Sequence, residues 1–341
     1  MTVLPRSGGR VVMGRPGAGS LRVVCPIIDR RREGSYLSLI AAAPEIAERA
    51  EPGQFVNVGV ATRASLLRRP FSIYRTSRHG AWGGTVQFVF DPHGPGTSWL
   101  AEQGPNDTLD LVGPLGAAFP LPEQRTSCLL IGGGYGAAPL FFLAERLQRR
   151  AQRVDMIVGA ATAERIFNPI EAKRMSASAR FTTEDGSFGK RGRVTDVFDE
   201  AVDDSRSGLV YACGPMPMLR AVAHRAAMRQ LPCHIAVEEH MACGIGVCWT
   251  CVVPVRSDDG QVHMRRSCID GPVLNGAHIA WERSRWVSAP SQSEFVAMPA
   301  LGREGPEGAG SGGPDEARHA SPHPPGPAAR PGGAPVGERR R

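Results

Sequence analysis

The chain has 341 residues, 42% of them hydrophobic and 6% aromatic, with 41 glycines, 29 prolines and a formal net charge of +7. That length suits about two domains with a core that needs no disulfide staples, and the composition excludes a coiled coil, a collagen-like chain and a wholly disordered one. Lys173 and Lys190 are the lysines; the other basic residues are arginines scattered without a block, which speaks against a nucleic-acid footprint.

Residues 1–20 read as a loose leader of Gly, Arg and Pro. No compact apolar core follows Arg6, Arg10 and Arg15, so no secretory signal is expected. No run offers the about 20 apolar residues of a membrane helix, and the expected location is the cytoplasm. Strand signals then follow at 21–28, 36–42, 54–60, 70–75, 84–90 and 108–112, separated by Gly, Pro, Asp and Asn. Six short strands at this spacing predict an all-β barrel or sandwich. Val86, Phe88 and Phe90 alternate along one face, as in a half-buried strand.

The pattern changes near residue 126. Cys128–Ile131 is a short apolar strand, and glycines separate it from a helix over about 139–151 that lines up Leu140, Leu143 and Leu147. Val154–Val158 is the next strand. Helices are expected at 169–175, 194–200 and 215–229, with a strand at Gly208–Cys213 between the last two. Such alternation predicts a parallel sheet with helices on its faces. His224 falls beside the apolar stripe of the last helix and reads as a packing or surface residue. A cysteine-rich region with few helix signals occupies 233–288. Residues 298–341, rich in Gly and Pro, read as a disordered tail.

Cys243, Cys248, Cys251 and Cys268 follow a C-x4-C-x2-C spacing with a fourth cysteine later. This is the plant-type ferredoxin spacing for a 2Fe-2S cluster, in which each iron takes two thiolates. Gly244 and Gly246 let the loop backbone approach the sulfurs. The competing reading is a four-cysteine zinc site in a nucleotide-binding regulator, although such sites usually show two separated C-x2-C pairs. Cys25, Cys128, Cys213 and Cys233 are isolated, as packing cysteines are.

Gly132, Gly134 and Gly136 follow a strand and open a helix, a setting that brings amides and a helix N-terminus to a diphosphate. The acidic residue expected about 20 positions on is absent from Val158–Thr162, so NAD and NADP both stay open. Arg69-Pro70-Phe71-Ser72 joins a guanidinium suited to phosphate with an aromatic face and a hydroxyl. Gly94-Pro95-Gly96-Thr97-Ser98 forms a second loop with amides and hydroxyls on offer. Each of these, taken alone, also fits an ordinary turn.

Taken together, Arg69–Ser72, the Gly132–Pro139 turn and Cys213-Gly214-Pro215-Met216 resemble the ferredoxin–NADP reductase superfamily. Met241–Cys248 and Cys268-Ile269-Asp270-Gly271-Pro272-Val273 resemble, within it, the electron-transfer subunits of NAD-linked dihydroorotate dehydrogenases. The resemblance covers about residues 20–285 and implies a mixed β and α/β fold in three parts. These are an antiparallel FAD-binding β-barrel at 21–122, an NAD(P)-binding α/β domain with a parallel sheet at 123–232, and a small 2Fe-2S domain at 233–288. It implies FAD contacts from Arg69, Pro70, Phe71, Ser72, Val89, Phe90, Asp91, Gly96 and Thr97. It implies nucleotide contacts from Gly132, Gly134, Gly136, Cys213, Gly214 and Pro215, and cluster ligation by Cys243, Cys248, Cys251 and Cys268. Thr183–Ser187 resembles a loop near the bound nucleotide. Asp91 stands where basic or neutral residues are more usual, so a backbone role is expected there; Trp249 and Thr250 replace smaller residues. No side chain is expected to act as a general base. The implied activity is electron transfer between NAD and an FMN-containing dihydroorotate dehydrogenase partner, in a heterotetramer, within de novo UMP synthesis. A subunit of a sulfhydrogenase or of a ferredoxin–NADP oxidoreductase complex is the alternative with the same cofactors.

Overall fold

The computed structural model describes residues 20–61 and 66–284. The expected tail at 298–341, and the expected leader apart from Ser20, lie outside them.

The N-terminal part runs β1 (Leu21–Glu33), β2 (Tyr36–Ala41), α1 (Pro44–Arg49), β3 (Phe55–Val58), β4 (Arg69–Ser77), β5 (Thr85–Phe90), α2 (Pro95–Glu102) and β6 (Thr108–Leu115). The strands close into an antiparallel barrel in the order β1-β2-β5-β4-β3-β6. Closure removes the free sheet edges that an open sandwich would expose. Val86, Phe88 and Phe90 point into the barrel core, as their alternation predicts. The other face of β5 is not solvated, however. Val89 joins a second apolar cluster with Tyr36, Tyr74, Phe141 and Phe167, and Gln87 is buried with its amide donating to the Ser38 hydroxyl at 3.0 Å. Phe141 and Phe167, later in the chain, cover the outside of this strand at Val89.

Next come β7 (Ser127–Gly133), α3 (Ala138–Gln148), β8 (Arg153–Ala160), α4 (Pro169–Arg174), β9 (Ser178–Thr183), β10 (Lys190–Arg191), α5 (Phe198–Ser205), β11 (Leu209–Cys213), α6 (Met216–Met228) and β12 (Cys233–Ala236). They form a sheet ordered β10-β9-β8-β7-β11-β12-β15, parallel except for β15 (Val273–Asn275). Leu140, Leu143 and Leu147 of α3 are fully buried, and His224 is exposed on α6. Phe142, on another side of α3, enters the barrel core. One helix thus serves two cores and holds the barrel against the sheet.

β13 (Val252–Arg256) and β14 (Val262–Arg266) form a hairpin behind the cysteine loop. Both ends of the cysteine-rich segment, β12 and β15, are strands of the large sheet. No helix among the described residues is long and apolar enough to cross a membrane.

Candidate flavin and cluster site

The sheet order reverses between β7 and β11, and crevices at such switch points are where open α/β sheets bind ligands. Here a cleft of about 620 Å³ opens between the carboxyl ends of these strands and the barrel. Arg69, Pro70, Phe71, Ser72, Val89, Phe90, Asp91, Gly96, Thr97, Gly136, Cys213 and Gly214 all line it. Residues more than 140 positions apart in the sequence therefore meet at one site. Gly132, Gly134 and Pro215 are not among its walls. A Cβ on Gly132 would lie 2.4 Å from the Ala137 Cβ, so that glycine makes room for the turn.

The sequence reads Gly94–Ser98 as a loop, but Pro95 opens α2. Proline suits the first helical position, and the Thr97 hydroxyl accepts from the Gly94 amide at 3.1 Å and from the His93 amide at 3.0 Å. That hydroxyl is therefore committed to capping, which leaves helix amides to face an anion. A Cβ on Gly96 would fall 2.9 Å from Arg69 Nε. The guanidinium thus lies across the helix N-terminus, and its Nη1 is held by the Leu67 carbonyl at 2.7 Å. A fixed cation beside free helix amides is a site for a diphosphate. Phe71 stacks on Phe88 with centroids 5.1 Å apart, so its ring is braced from behind. Asp91 does engage its side chain: it pairs with Arg165 and ties the end of β5 to the segment that follows β8.

Across the cleft, Gly136 and Gly214 touch closely. A Cβ on Gly136 would be 2.7 Å from the Gly214 Cα. Cys213 is buried, and burial pushes its thiol well above the usual range, with Glu238 adding to the effect. It stays a neutral thiol. The Tyr135 hydroxyl donates to Glu238 at 3.3 Å, and burial raises its pKa too. Tyr135, His93, Glu238, Glu239, His240, Met241, Ala242 and Thr250 also line the cleft. None of these was among the expected contacts, although Tyr135, Met241 and Ala242 fall inside the Gly132–Pro139 and Met241–Cys248 motifs. Met241 and Ala242 border Cys243, and that adjacency was the available signal.

The cysteine loop forms the remaining wall. Gly244 and Gly246 adopt φ of +68° and +84°, which glycine reaches without steric cost. Their turns aim the amides of Ile245, Val247 and Cys248 at Cys243 Sγ, at 3.5, 3.4 and 3.5 Å. Such a cradle suits a thiolate. The Thr250 hydroxyl donates to Cys248 Sγ at 3.2 Å and is the main reason that thiol is lowered to about 6. Cys251 and Cys268 are buried with Phe55 and Leu115, and burial pushes Cys268 up to about 12. Thiols so placed ionise when a metal takes them. Three cysteines on one loop and a fourth in the turn after β14 supply the four thiolates, two per iron, that a 2Fe-2S cluster takes. The donor set and its cradle fit a 2Fe-2S cluster. Cys25, Cys128 and Cys233 are buried packing residues.

The barrel reaches this loop through Asn57. Its side chain is 1% exposed on β3 and donates Nδ2 to the Cys243 carbonyl at 2.9 Å.

Comparison with known proteins agrees with this geometry. Residues 238–280 match the iron-sulfur cluster binding domain of dihydroorotate dehydrogenase B, and residues 130–224 match the oxidoreductase NAD-binding domain. The dihydroorotate dehydrogenase B (NAD(+)) electron transfer subunit of Desulforamulus reducens is 36% identical over 241 residues, covering 70% of this chain and 90% of that protein. The Bacillus caldolyticus subunit of the same name is 38% identical, covering 69% and 88%. Among solved structures, a chain of an NADH-dependent reduced ferredoxin–NADP oxidoreductase superposes with a TM-score of 0.66 at 27% identity, covering 76% of this chain and 91% of that one. A Neisseria gonorrhoeae ferredoxin NADP+ reductase with bound FAD and NADP shares the fold, with a TM-score of 0.51 at 15% identity and coverage of 62% and 92%. With barrel, sheet and cysteine loop in this order, the chain belongs to the family of dihydroorotate dehydrogenase B (NAD(+)) electron transfer subunits.

Proposed function

We propose that this chain carries electrons between NAD and a dihydroorotate dehydrogenase catalytic partner, by way of FAD in the cleft and a 2Fe-2S cluster on the cysteine loop. FAD, when bound, exchanges a hydride with nicotinamide and single electrons with the cluster. The protein's share is binding, orientation and electrostatics. Arg69, with the α2 N-terminus at Gly96 and Thr97, takes the diphosphate. Pro70, Phe71, Ser72 and Val89–Asp91 shape the wall for the ring. Gly136, Cys213 and Gly214 form the nicotinamide-nucleotide wall, and Gly132, Gly134 and Pro215 shape the turns that carry it. Cys243, Cys248, Cys251 and Cys268 hold the cluster.

One observation carries this reading: the cleft and the cysteine loop share a wall. Met241, Ala242 and Thr250 line the cleft; Cys243 follows Ala242 in the chain, Cys251 follows Thr250, and Cys248 Sγ accepts from the Thr250 hydroxyl. Two redox groups held there would sit side by side with no intervening domain. The relatives' names, which specify an electron transfer subunit and NAD(+), support both the partner and the nucleotide. The finer reading is an FMN-containing partner in a cytoplasmic heterotetramer that makes orotate for UMP. Division into FAD, nucleotide and cluster domains at 21–122, 123–232 and 233–288 belongs to the same reading.

The test is reconstitution. The catalytic subunit is assayed for dihydroorotate-dependent NAD reduction, alone and with this chain. Activity that appears only with the chain supports the proposal; full activity without it refutes it. The 27% identity to the ferredoxin–NADP oxidoreductase chain favours that system as the second reading. It predicts ferredoxin-linked turnover and none with dihydroorotate.

A further inference from the structure

Thr250 lies where the two cofactor sites meet. It lines the flavin cleft, and its hydroxyl donates to Cys248 Sγ at 3.2 Å. The residue between them, Trp249, has φ +58°. A bulky side chain rarely adopts this conformation, and such outliers persist only where surrounding contacts hold them. Here Arg266 supplies the hold. Its guanidinium sits 4.5 Å from the Trp249 ring centroid, and its Nη1 donates to the Gly246 carbonyl at 2.8 Å. The left-handed residue folds the chain back, and the fold brings the Thr250 hydroxyl to the sulfur two residues earlier.

We infer that Thr250 is a positioning residue that sets the reduction potential of the cluster through Cys248. The inference rests on the 2Fe-2S reading of the cysteine loop. A reduced cluster carries one more negative charge than an oxidised one. A donor to a ligand sulfur stabilises the reduced form more, so it raises the potential. The bond to the thiolate exists in both redox states, so only its gain on reduction counts. That gain is about 0.6–1.4 kcal/mol, a part of a charge-assisted bond. Removing the hydroxyl therefore shifts the reduction equilibrium toward the oxidised cluster by about 3- to 10-fold, and tenfold is about 59 mV for a one-electron couple.

The experiment is EPR-monitored potentiometry on the full-length, cofactor-loaded chain. It compares wild type, Thr250→Val and Thr250→Ser, with iron content and visible spectrum measured for each. The expected result is a lowered potential in Thr250→Val and the wild-type value in Thr250→Ser, at equal iron content. An unmoved potential in Thr250→Val overturns the inference, and so does an equal shift in Thr250→Ser, which would point to packing. Should Thr250→Val hold no cluster, Thr250→Ala against Thr250→Ser decides in the same way. Wild-type protein that binds neither iron nor flavin would instead defeat the reading beneath the inference.

Discussion

Replacing Asn57 tests how the barrel holds the cysteine loop. Asn57 is buried on β3, and its Nδ2 is 2.9 Å from the Cys243 carbonyl. Its Oδ1 is buried without a hydrogen-bond partner. Asn57→Ala removes the donor and leaves that carbonyl unpaired, which costs about 1–3 kcal/mol. Local opening of the loop then becomes about 5- to 150-fold more frequent. Loops open locally at lower free energy than the whole fold, so iron release is the readout expected to follow this opening. The assay is iron release to an excess of chelator, followed in the holo-protein with flavin fluorescence as a control. Asn57→Ala is expected to lose iron tenfold faster or more, in line with about 1.4 kcal/mol per tenfold, and to keep its flavin. Asn57→Asp preserves the shape but turns an acceptor toward the carbonyl, and is expected to lose iron at least as fast. Iron release at the wild-type rate in both variants would refute the hydrogen-bond argument. Fast release in the alanine variant alone would assign the effect to packing.

Other perturbations address other parts of the site. Arg69→Ala removes the guanidinium over the α2 N-terminus; a charged hydrogen bond is worth about 1.5–3 kcal/mol, so purified protein should carry substoichiometric FAD, measured by its absorbance, with iron unchanged. Gly136→Ala drives a Cβ to 2.7 Å from the Gly214 Cα. Because backbone faces backbone, the two turns must part, and the KM for NADH should rise while flavin content holds. The Asp110 carboxyl is held below its ordinary pKa, first by the Arg22 hydrogen bond and then by Arg68. A depressed folded pKa stabilises above the unfolded pKa, and that contribution is lost as pH falls through the folded value. The Tm gap between wild type and Asp110→Asn should therefore close in acid; a gap constant with pH would contradict this.

Much of the fold was legible because local pattern and tertiary role coincide. The alternation of β5 and the stripe of α3 each mark a buried face. The cysteine spacing was legible because one short loop must wrap one cluster. Other features were not. α1 spans six residues, too few for a periodic signal. The first turn of α2 reads as a loop because Gly-Pro-Gly usually breaks structure, whereas here Pro95 sits where a helix tolerates it. β9 carries charged and polar residues among its apolar ones and reads as no strand by itself; pairing with β8 selects it. The walls contributed by Tyr135, Glu238 and Thr250 come from three separate segments that only the folded chain assembles. The Asn57 contact links residues 186 positions apart and leaves no sequence pattern.

On the proposed function, one chain passes electrons from nicotinamide to its own iron–sulfur cluster through its own flavin. Anaerobic titration of the isolated holo-protein with NADH tests this, with flavin absorbance and the EPR signal of the cluster read on the same samples. The flavin is expected to bleach and the reduced-cluster signal to appear without any partner present. A cluster that stays oxidised after the flavin is fully reduced, at a potential where direct mediators reduce it, would rule out this electron path.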